Sequence, residues 1–176
     1  EGPTDPTITG SFGNILTYKN LKLNVFVTYS FGNVIRLDPV FSNAYSDLDA
    51  MPKEFKNRWM KAGDENVTNI PTIVSTRMNQ QYAYLNMAYN AYNYSDVRIA
   101  DGGFIRLKEI SLSYDLPAKV INFFRLNKLQ LKLQATNLCL LYADSKLNGQ
   151  DPEFFRSGGV STPVPKQFTF TVRLGL

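Results

Sequence analysis

Six acidic residues carry the side chains with which this sequence could most readily perform acid–base chemistry or bind calcium. They lie in predicted loops, mostly beside glycine or proline, where an aspartate is ordinary turn chemistry, and their spacing matches no EF-hand loop. The sequence contains no histidine, so the commonest general base and the commonest metal ligand are both missing. A structural role in turns is therefore the favoured interpretation of Asp64, Glu65, Asp96, Asp101, Asp151 and Glu153.

Cys139, the single cysteine, follows a predicted strand end among leucines. One cysteine excludes a disulfide within the chain and a cysteine-rich zinc site. Because no histidine is available to activate the thiol, a buried and inert side chain is favoured over a nucleophile. The sequence therefore predicts no catalytic residue, no cofactor-binding residue and no metal site, and we expect that the protein is not an enzyme.

The charge of the chain is mildly basic, with 19 lysines and arginines against 15 acidic residues and a net charge of +4. The excess is spread along the chain and forms no dense basic stripe of the kind that nucleic-acid binding needs. We therefore expect no nucleic-acid partner.

A tyrosine- and asparagine-rich stretch, MNQQYAYLNMAYNAYNYSD, is the best candidate for a binding surface. Its apolar residues Met78, Tyr82, Leu85, Tyr89 and Tyr92 are spaced as on one amphipathic helix. We predict that Tyr82, Tyr89 and Tyr92 form one outward face that contacts a substrate or a partner protein. The alternative is that this face packs on the protein's own loops, since tyrosine is also enriched where protein surfaces meet.

The elements that must position these residues are strands. Apolar and polar residues alternate strictly in LKLNVFVTYSF, KLQLKLQATN and QFTFTVRLGL, and more weakly in TGSFGNILTY. A fifth alternating segment lies in LKEISLSYDLP. Alternation gives each strand one apolar and one polar face. Each segment has about ten residues, the length of a tilted transmembrane strand, although a soluble sandwich can alternate in the same way.

Short and long connections alternate between the five predicted strands. The turn at Lys19 and Asn20 and the link 116–127 are short, whereas the links 32–103 and 138–166 are long. In an up-and-down sheet the short turns lie at one end and the long loops at the other, which is the arrangement of an outer-membrane barrel. Within the first long loop, MPKEFKNRWMKAGDE predicts a short helix with Pro52 near its start.

In such a barrel the apolar face meets lipid and the polar face lines the interior. The predicted lipid-facing residues are Leu21, Leu23, Val25, Val27, Leu131, Leu133, Phe168, Phe170 and Val172. The predicted interior residues are Lys22, Asn24, Thr28, Gln130, Lys132, Thr169 and Arg173.

Four motifs, in the right order, resemble the SusC/RagA-type TonB-dependent transporters of Bacteroidota outer membranes. ADGGFIRLKEISLSYDLP resembles the signature near the C-terminus of that family, and RWMKAGDENVTNIPTI resembles its loop segment with Trp, Gly-Asp and Pro. LQATNL followed by GQDPEF resembles its Asn-Leu strand end and Gly-x-Asp-Pro-Glu loop, and PVPKQFTFTVRLGL resembles its approach to the final strand. Together the motifs cover most of the chain from Gly10 to Leu176.

The resemblance implies an all-β fold in which residues 1–176 are the C-terminal part of a TonB-dependent receptor barrel. They would supply about the last five antiparallel, up-and-down strands of a 22-stranded transmembrane β-barrel. Residues 32–103 and 138–166 would be long extracellular loops carrying short helices. The plug domain, the N-terminal strands and the TonB-contacting segment of that family are not expected within this chain.

The resemblance also implies a location and partners. The chain would lie in the cell outer membrane, in contact with lipid and lipopolysaccharide. It would import glycans, or peptides, with a SusD-like surface lipoprotein as lid and with energy from TonB through the N-terminal part. No cofactor is implied.

The same resemblance gives wall positions to charged residues of the signature. Arg106 and Lys108 are expected at the outer end of a strand, where cationic side chains meet anionic headgroups, and Tyr114 is expected in the opposite aromatic girdle.

The alternative function is a stand-alone secreted β-rich module that binds glycans or acts as an adhesin. Such a module would bury its apolar faces in one compact core.

Overall fold

A computed structural model describes residues 2–39, 52–123, 126–155 and 164–175 of the chain. Among these residues, no helix is both long and apolar enough to cross a membrane. The strands are β1 (Ile8–Tyr18), β2 (Leu21–Phe31), β3 (Val34–Arg36), β4 (Ile99–Asp101), β5 (Phe104–Asp115), β6 (Lys128–Ala143) and β7 (Gln167–Gly175). The α-helices are α1 (Thr76–Gln81), α2 (Leu85–Asn93) and α3 (Ala118–Phe123).

The five long strands form one antiparallel sheet in the order β1-β2-β5-β6-β7. The predicted all-β, up-and-down arrangement is therefore confirmed. The two short strands β3 and β4 pair separately with each other, Val34 lying opposite Asp101. The sequence did not predict them, because three residues are too few for alternation to be recognised.

The two short connections lie at the same end of the sheet. The backbone N–H of Asp115 donates to the carbonyl of Asn20 over 2.9 Å, and the N–H of Leu116 donates to the carbonyl of Leu129 over 3.0 Å. At the opposite end Phe104 pairs with both Ser30 and Ala143. Both long connections leave the sheet there, as predicted, but the second begins after Ala143 and not at residue 138.

The link 116–127 contains the short helix α3, which begins directly after Pro117. Proline suits the first turn of a helix because its ring fixes φ and its missing N–H would have had no helical partner. Val120 and Ile121 lie within this helix, and Phe124 lies outside the described residues.

The register of the sheet gathers apolar side chains on one face. Leu23 lies opposite Leu16 and Leu112, and Leu133 lies opposite Leu112 and Phe170. Directly opposed residues of antiparallel strands project to the same side. On the other side the opposed pairs are polar: Lys22 with Ser113, Ser113 with Lys132, and Lys132 with Thr171. The predicted division into an apolar and a polar face is confirmed.

The apolar face is the uncovered one. Phe168 is 77% exposed and Phe170 61% exposed, whereas Ser30, Ser111 and Gln130 on the polar side are buried. Water-soluble proteins distribute these residue types the other way round. The sheet is therefore built for apolar surroundings on one side.

A small hydrophobic cluster joins the two long connections at their end of the sheet. Ile35 and Leu37 from the first connection and Ala100 from β4 pack with Leu147 from the second, and all four are buried. Phe155 packs against this cluster. The long connections thus share a small apolar core, which Ala143 at the end of β6 also contacts.

Candidate functional site

Near the long connections the sheet is irregular. The pairing of β5 with β6 shifts register between Ile105 and Arg106 and again between Leu107 and Glu109. In β6, Asn137 has a φ of 54°. Bulges of this kind increase the local twist and redirect side chains. They turn Arg106 to the polar face, where it lies opposite Thr28.

A concavity of about 660 Å³ lies against this part of the polar face. Its volume falls within the range of small-molecule sites, about 300–1,000 Å³. It combines hydroxyl groups, aromatic rings and two charged side chains of opposite sign. The residues that give it this chemistry are Thr9, Thr28, Phe26, Phe104, Lys108 and Glu153.

Arg106 fixes the second long connection to the wall of the concavity. Its Nη2 lies 2.5 Å from Oδ1 and 2.6 Å from Oδ2 of Asp151, and 3.2 Å from Oε2 of Glu153. The side chains of Arg106 and Asp151 are only 6% and 9% exposed. The guanidinium also lies over the ring of Phe104, with its Cζ 5.4 Å from the ring centre, an arrangement that favours a cation.

The expectation that Arg106 meets anionic headgroups is therefore wrong. The carboxylates that it binds come from a segment 45 residues further along the chain, which strand position alone does not reveal. Lys108, expected beside it at the headgroups, lines the concavity.

Most of the acidic candidates have the predicted structural role in turns. Asp64 accepts hydrogen bonds from the N–H groups of Met60 and Lys61, and Asp101 accepts one from Gly103. Glu153 differs, because its side chain is 42% exposed and lines the concavity. Within the described ranges, no group of three or more histidine, cysteine or acidic residues is arranged to hold a metal ion.

Cys139 is exposed and not buried as predicted. It lies opposite Leu107, which in turn lies opposite Val27 on the apolar face. Its surroundings are apolar, as the neighbouring leucines indicated, but that face of the sheet is uncovered.

The tyrosine-rich stretch forms two helices and not the single predicted one. Ser75 caps α1 by accepting a hydrogen bond from the N–H of Met78 over 3.3 Å, as N-cap serines commonly do. Tyr82 ends that helix with a φ of −124° and a ψ of 79°. Only Tyr89 and Tyr92 of the three predicted contact residues lie in α2.

The three tyrosines do not share one outward face. Tyr89 is 8% exposed, and its hydroxyl donates to the carbonyl of Thr72 over 2.9 Å. Tyr92 is half-buried against Arg98, whose Cζ lies 5.7 Å from the ring centre. Burial raises the pKa of the Tyr92 phenol, while the positive charge of Arg98 acts in the opposite direction. Tyr82 is exposed and lies edge-to-face against Tyr84.

The outward side of α2 is formed by residues other than the three predicted contact residues. Tyr84, Met87 and Tyr94 are 63%, 76% and 71% exposed, and their spacing places them on one side of the helix. Sequence reasoning missed this outward α2 face because both sides of the helix are apolar. The spacing of Tyr84, Met87, Ala91 and Tyr94 was the available signal.

Tyr89→Phe should lower the local stability of the first long connection by about 0.5–1.5 kcal/mol, the usual net worth of one hydrogen bond. The carbonyl of Thr72 loses the donor that the Tyr89 hydroxyl provides. Hydrogen exchange of the α2 amides in the intact protein measures the change. Tyr84→Phe removes an exposed hydroxyl of the same type and should leave the exchange unaltered, so equal effects would contradict this assignment.

Arg98 connects distant parts of the first long connection. Its Nη2 lies 2.7 Å from Oε1 of Glu54 and donates to the carbonyl of Asp38 over 2.6 Å. The two side chains of the ion pair are 3% and 16% exposed. A buried guanidinium with these partners fixes the base of the connection near β4.

The comparison with known sequences finds receptors. No protein-family model matches the chain. "TonB-dependent receptor P3" of Formosa agariphila is 27% identical over 152 residues, which are 86% of this chain and 13% of the relative. "TonB-dependent receptor P26" of the same organism is 26% identical over an alignment 192 residues long, which covers 97% of this chain and 17% of the relative. The chain thus spans less than a fifth of the length of these relatives.

The comparison with solved structures finds the same fold. The RagAB peptide importer in its "open-open" state matches 98% of this chain and 17% of its own chain, with a TM-score of 0.65 and 22% identity. The RagAB peptide transporter matches 97% of this chain with a TM-score of 0.65 and 23% identity. The relatives are receptors and importers and not enzymes, which agrees with the expectation for this chain.

Proposed function

We propose that this chain is a β-barrel segment of a SusC/RagA-type TonB-dependent transporter of the outer membrane and forms part of an importer of glycans or peptides. The observation that carries the proposal is the polarity of the sheet. Its apolar face is exposed, and its polar face holds the concavity beside both long connections. A wall between lipid and a polar passage has this polarity.

In this proposal the remaining components lie outside the chain. TonB supplies energy through the N-terminal part of the longer protein, and a SusD-like lipoprotein covers the passage from outside. Lipid and lipopolysaccharide cover the apolar face, and the two long connections, residues 32–103 and the connection that follows Ala143, are extracellular loops. The names of the curated relatives support the role of TonB, and the two-component name of the RagAB importer supports a partner protein.

The stand-alone secreted module is less well supported. In water, Phe168 and Phe170 would lie on a continuous apolar surface, and surfaces of that extent promote association. The exposure of this face favours the importer.

Deletion of the gene for the intact transporter tests the proposal. Uptake of labelled oligosaccharides and of labelled oligopeptides is measured with and without TonB. We expect one of the two classes to enter only when both the transporter and TonB are present. TonB-independent entry of every probe, at the same rate in the deletion strain, would count against an importer.

The predicted contact of Tyr82, Tyr89 and Tyr92 with lid or substrate stays a prediction. Tyr89 is buried, so we propose that it supports α2 while Tyr82 and the outward α2 face reach the lid. Exposed aromatic and methionine side chains are favoured at such contacts.

Changing Tyr84, Met87 and Tyr94 together to alanine should reduce the amount of lid lipoprotein that co-purifies with the intact transporter by about tenfold or more, since buried aromatic anchors dominate contact energies. Met60→Ala with Val67→Ala is the matched control, because both side chains are exposed apolar groups of the same connection. Unchanged lid retention in the triple variant, with normal barrel assembly, would reject this contact surface.

A further inference from the structure

The Arg106 ion-pair group leaves one negative charge unbalanced. A single guanidinium faces two carboxylates, and it is closest to Asp151, which it binds through both oxygens. The Asp151 side chain is 9% exposed and the Glu153 side chain 42% exposed. The unbalanced charge is therefore available to a ligand at Glu153.

The position of Glu153 is fixed from two sides. Its N–H donates to Oδ1 of Asp151 over 3.1 Å, and its Oε2 lies 3.2 Å from Nη2 of Arg106. Pro152, which is buried, precedes it in a short 3₁₀ turn and restricts the backbone. A carboxylate held in this way loses little conformational entropy when it binds a ligand.

Lys108 is the other charged group of the concavity. Among the described residues no ion pair joins its ammonium to Glu153, whose basic partner is Arg106. The Glu153 carboxylate therefore keeps acceptor capacity for a donor that enters the concavity.

Resting on the proposed importer function, we propose that Glu153 is a specificity-determining residue which binds an ammonium group of the imported ligand, and that Arg106 is the positioning residue that holds it. The same chemistry is offered by the amino groups of a peptide and by those of an amino sugar. Neutral ligands gain less from this carboxylate, because their hydroxyl and amide donors carry no positive charge to pair with it.

Glu153→Gln in the intact transporter, purified with its lid, tests the inference. The probes are trilysine with its fully acetylated form and the glucosamine trimer with its N-acetylated form. The variant should lose about tenfold or more in affinity for at least one of the two free-amine probes, as expected for a hydrogen bond to a charged group. Its affinity for the acetylated probes should change much less, because they carry no ammonium group. A loss in the peptide arm, the sugar arm or both identifies the source of the ammonium group.

Two further variants separate position from charge. Arg106→Gln should lose the same discrimination between free and acetylated probes, because the carboxylate then loses the ion pair that orients it. Glu65→Gln is the matched control, since this exposed carboxylate lies in the other long connection, and it should discriminate as the unmodified protein does. Retained discrimination in a folded Arg106→Gln transporter would overturn the positioning role.

The remaining outcomes are decisive in the same way. Equal affinity losses for free and acetylated probes, or no loss for either free-amine probe, overturn the role of Glu153. If Arg106→Gln does not assemble, Glu153→Gln decides alone. TonB-dependent uptake is measured in the same strains. If uptake occurs but free and acetylated probes bind equally well, only this inference is rejected. If the unmodified strain shows no TonB-dependent uptake, the importer function itself is rejected.

Discussion

Val27→Arg should lower the free energy of unfolding of the intact transporter by about 2–4 kcal/mol, the cost of an arginine that faces lipid near mid-membrane. Val27 lies near the middle of β2 on the apolar face, opposite Phe12 and Leu107. Urea unfolding of the transporter in lipid vesicles, followed by tryptophan fluorescence, measures the loss.

Asn24→Arg is the control for that substitution. It introduces the same side chain into the same strand but on the polar face, where the Asn24 amide donates to Oε1 of Glu109 over 3.3 Å. We expect a much smaller change, because the new charge meets a carboxylate and a polar interior. If both variants lose the same stability, the assignment of the two faces is wrong.

Glu54→Ala should lower the local stability of the first long connection by about 3–5 kcal/mol, the usual cost of removing one partner from a buried ion pair. The guanidinium of Arg98, which is 3% exposed, then lacks its carboxylate. The carbonyl of Asp38 and the ring of Tyr92 remain beside it but carry no full negative charge. Hydrogen exchange of the β4 amides in the intact transporter measures this loss.

The paired change Arg98→Met with Glu54→Leu tests the cause. Replacing both members of a buried ion pair by apolar residues is often close to neutral, so the double variant should be much more stable than Glu54→Ala. A double variant as unstable as Glu54→Ala would show that packing, and not the uncompensated charge, determines the loss.

Alternation predicted the sheet well wherever the ladder is regular. β2 has the predicted bounds and faces, because its pairing with β1 keeps the period of two from end to end. β6 was predicted only as far as Asn137, although it continues to Ala143. Asn137, with its φ of 54°, interrupts the alternation there, so the following run LCLLY no longer resembles a half-exposed strand.

The site was harder to predict because its decisive contacts are distant in sequence. Arg106 and Asp151 both stood in recognisable motifs, yet nothing in either motif indicates that they bind each other. Glu153 was interpreted as a turn residue for the same reason, since its exposure depends on where Arg106 holds the connection. The break after Gln81 was not predicted either, because the apolar spacing continues through Tyr82 without a glycine or proline.

The pairing of Val34 with Asp101 has a consequence for the length of the first long connection. This short ladder closes the chain between Arg36 and Ile99 into a ring at its base. Closure entropy grows only with the logarithm of ring size, by about 0.6 kcal/mol for each doubling. Extra residues inserted beside the exposed turn at Gly63, where φ is 100°, should therefore lower the stability of the sheet very little. The ladder therefore lets the first long connection change in length while the sheet beneath it keeps one register.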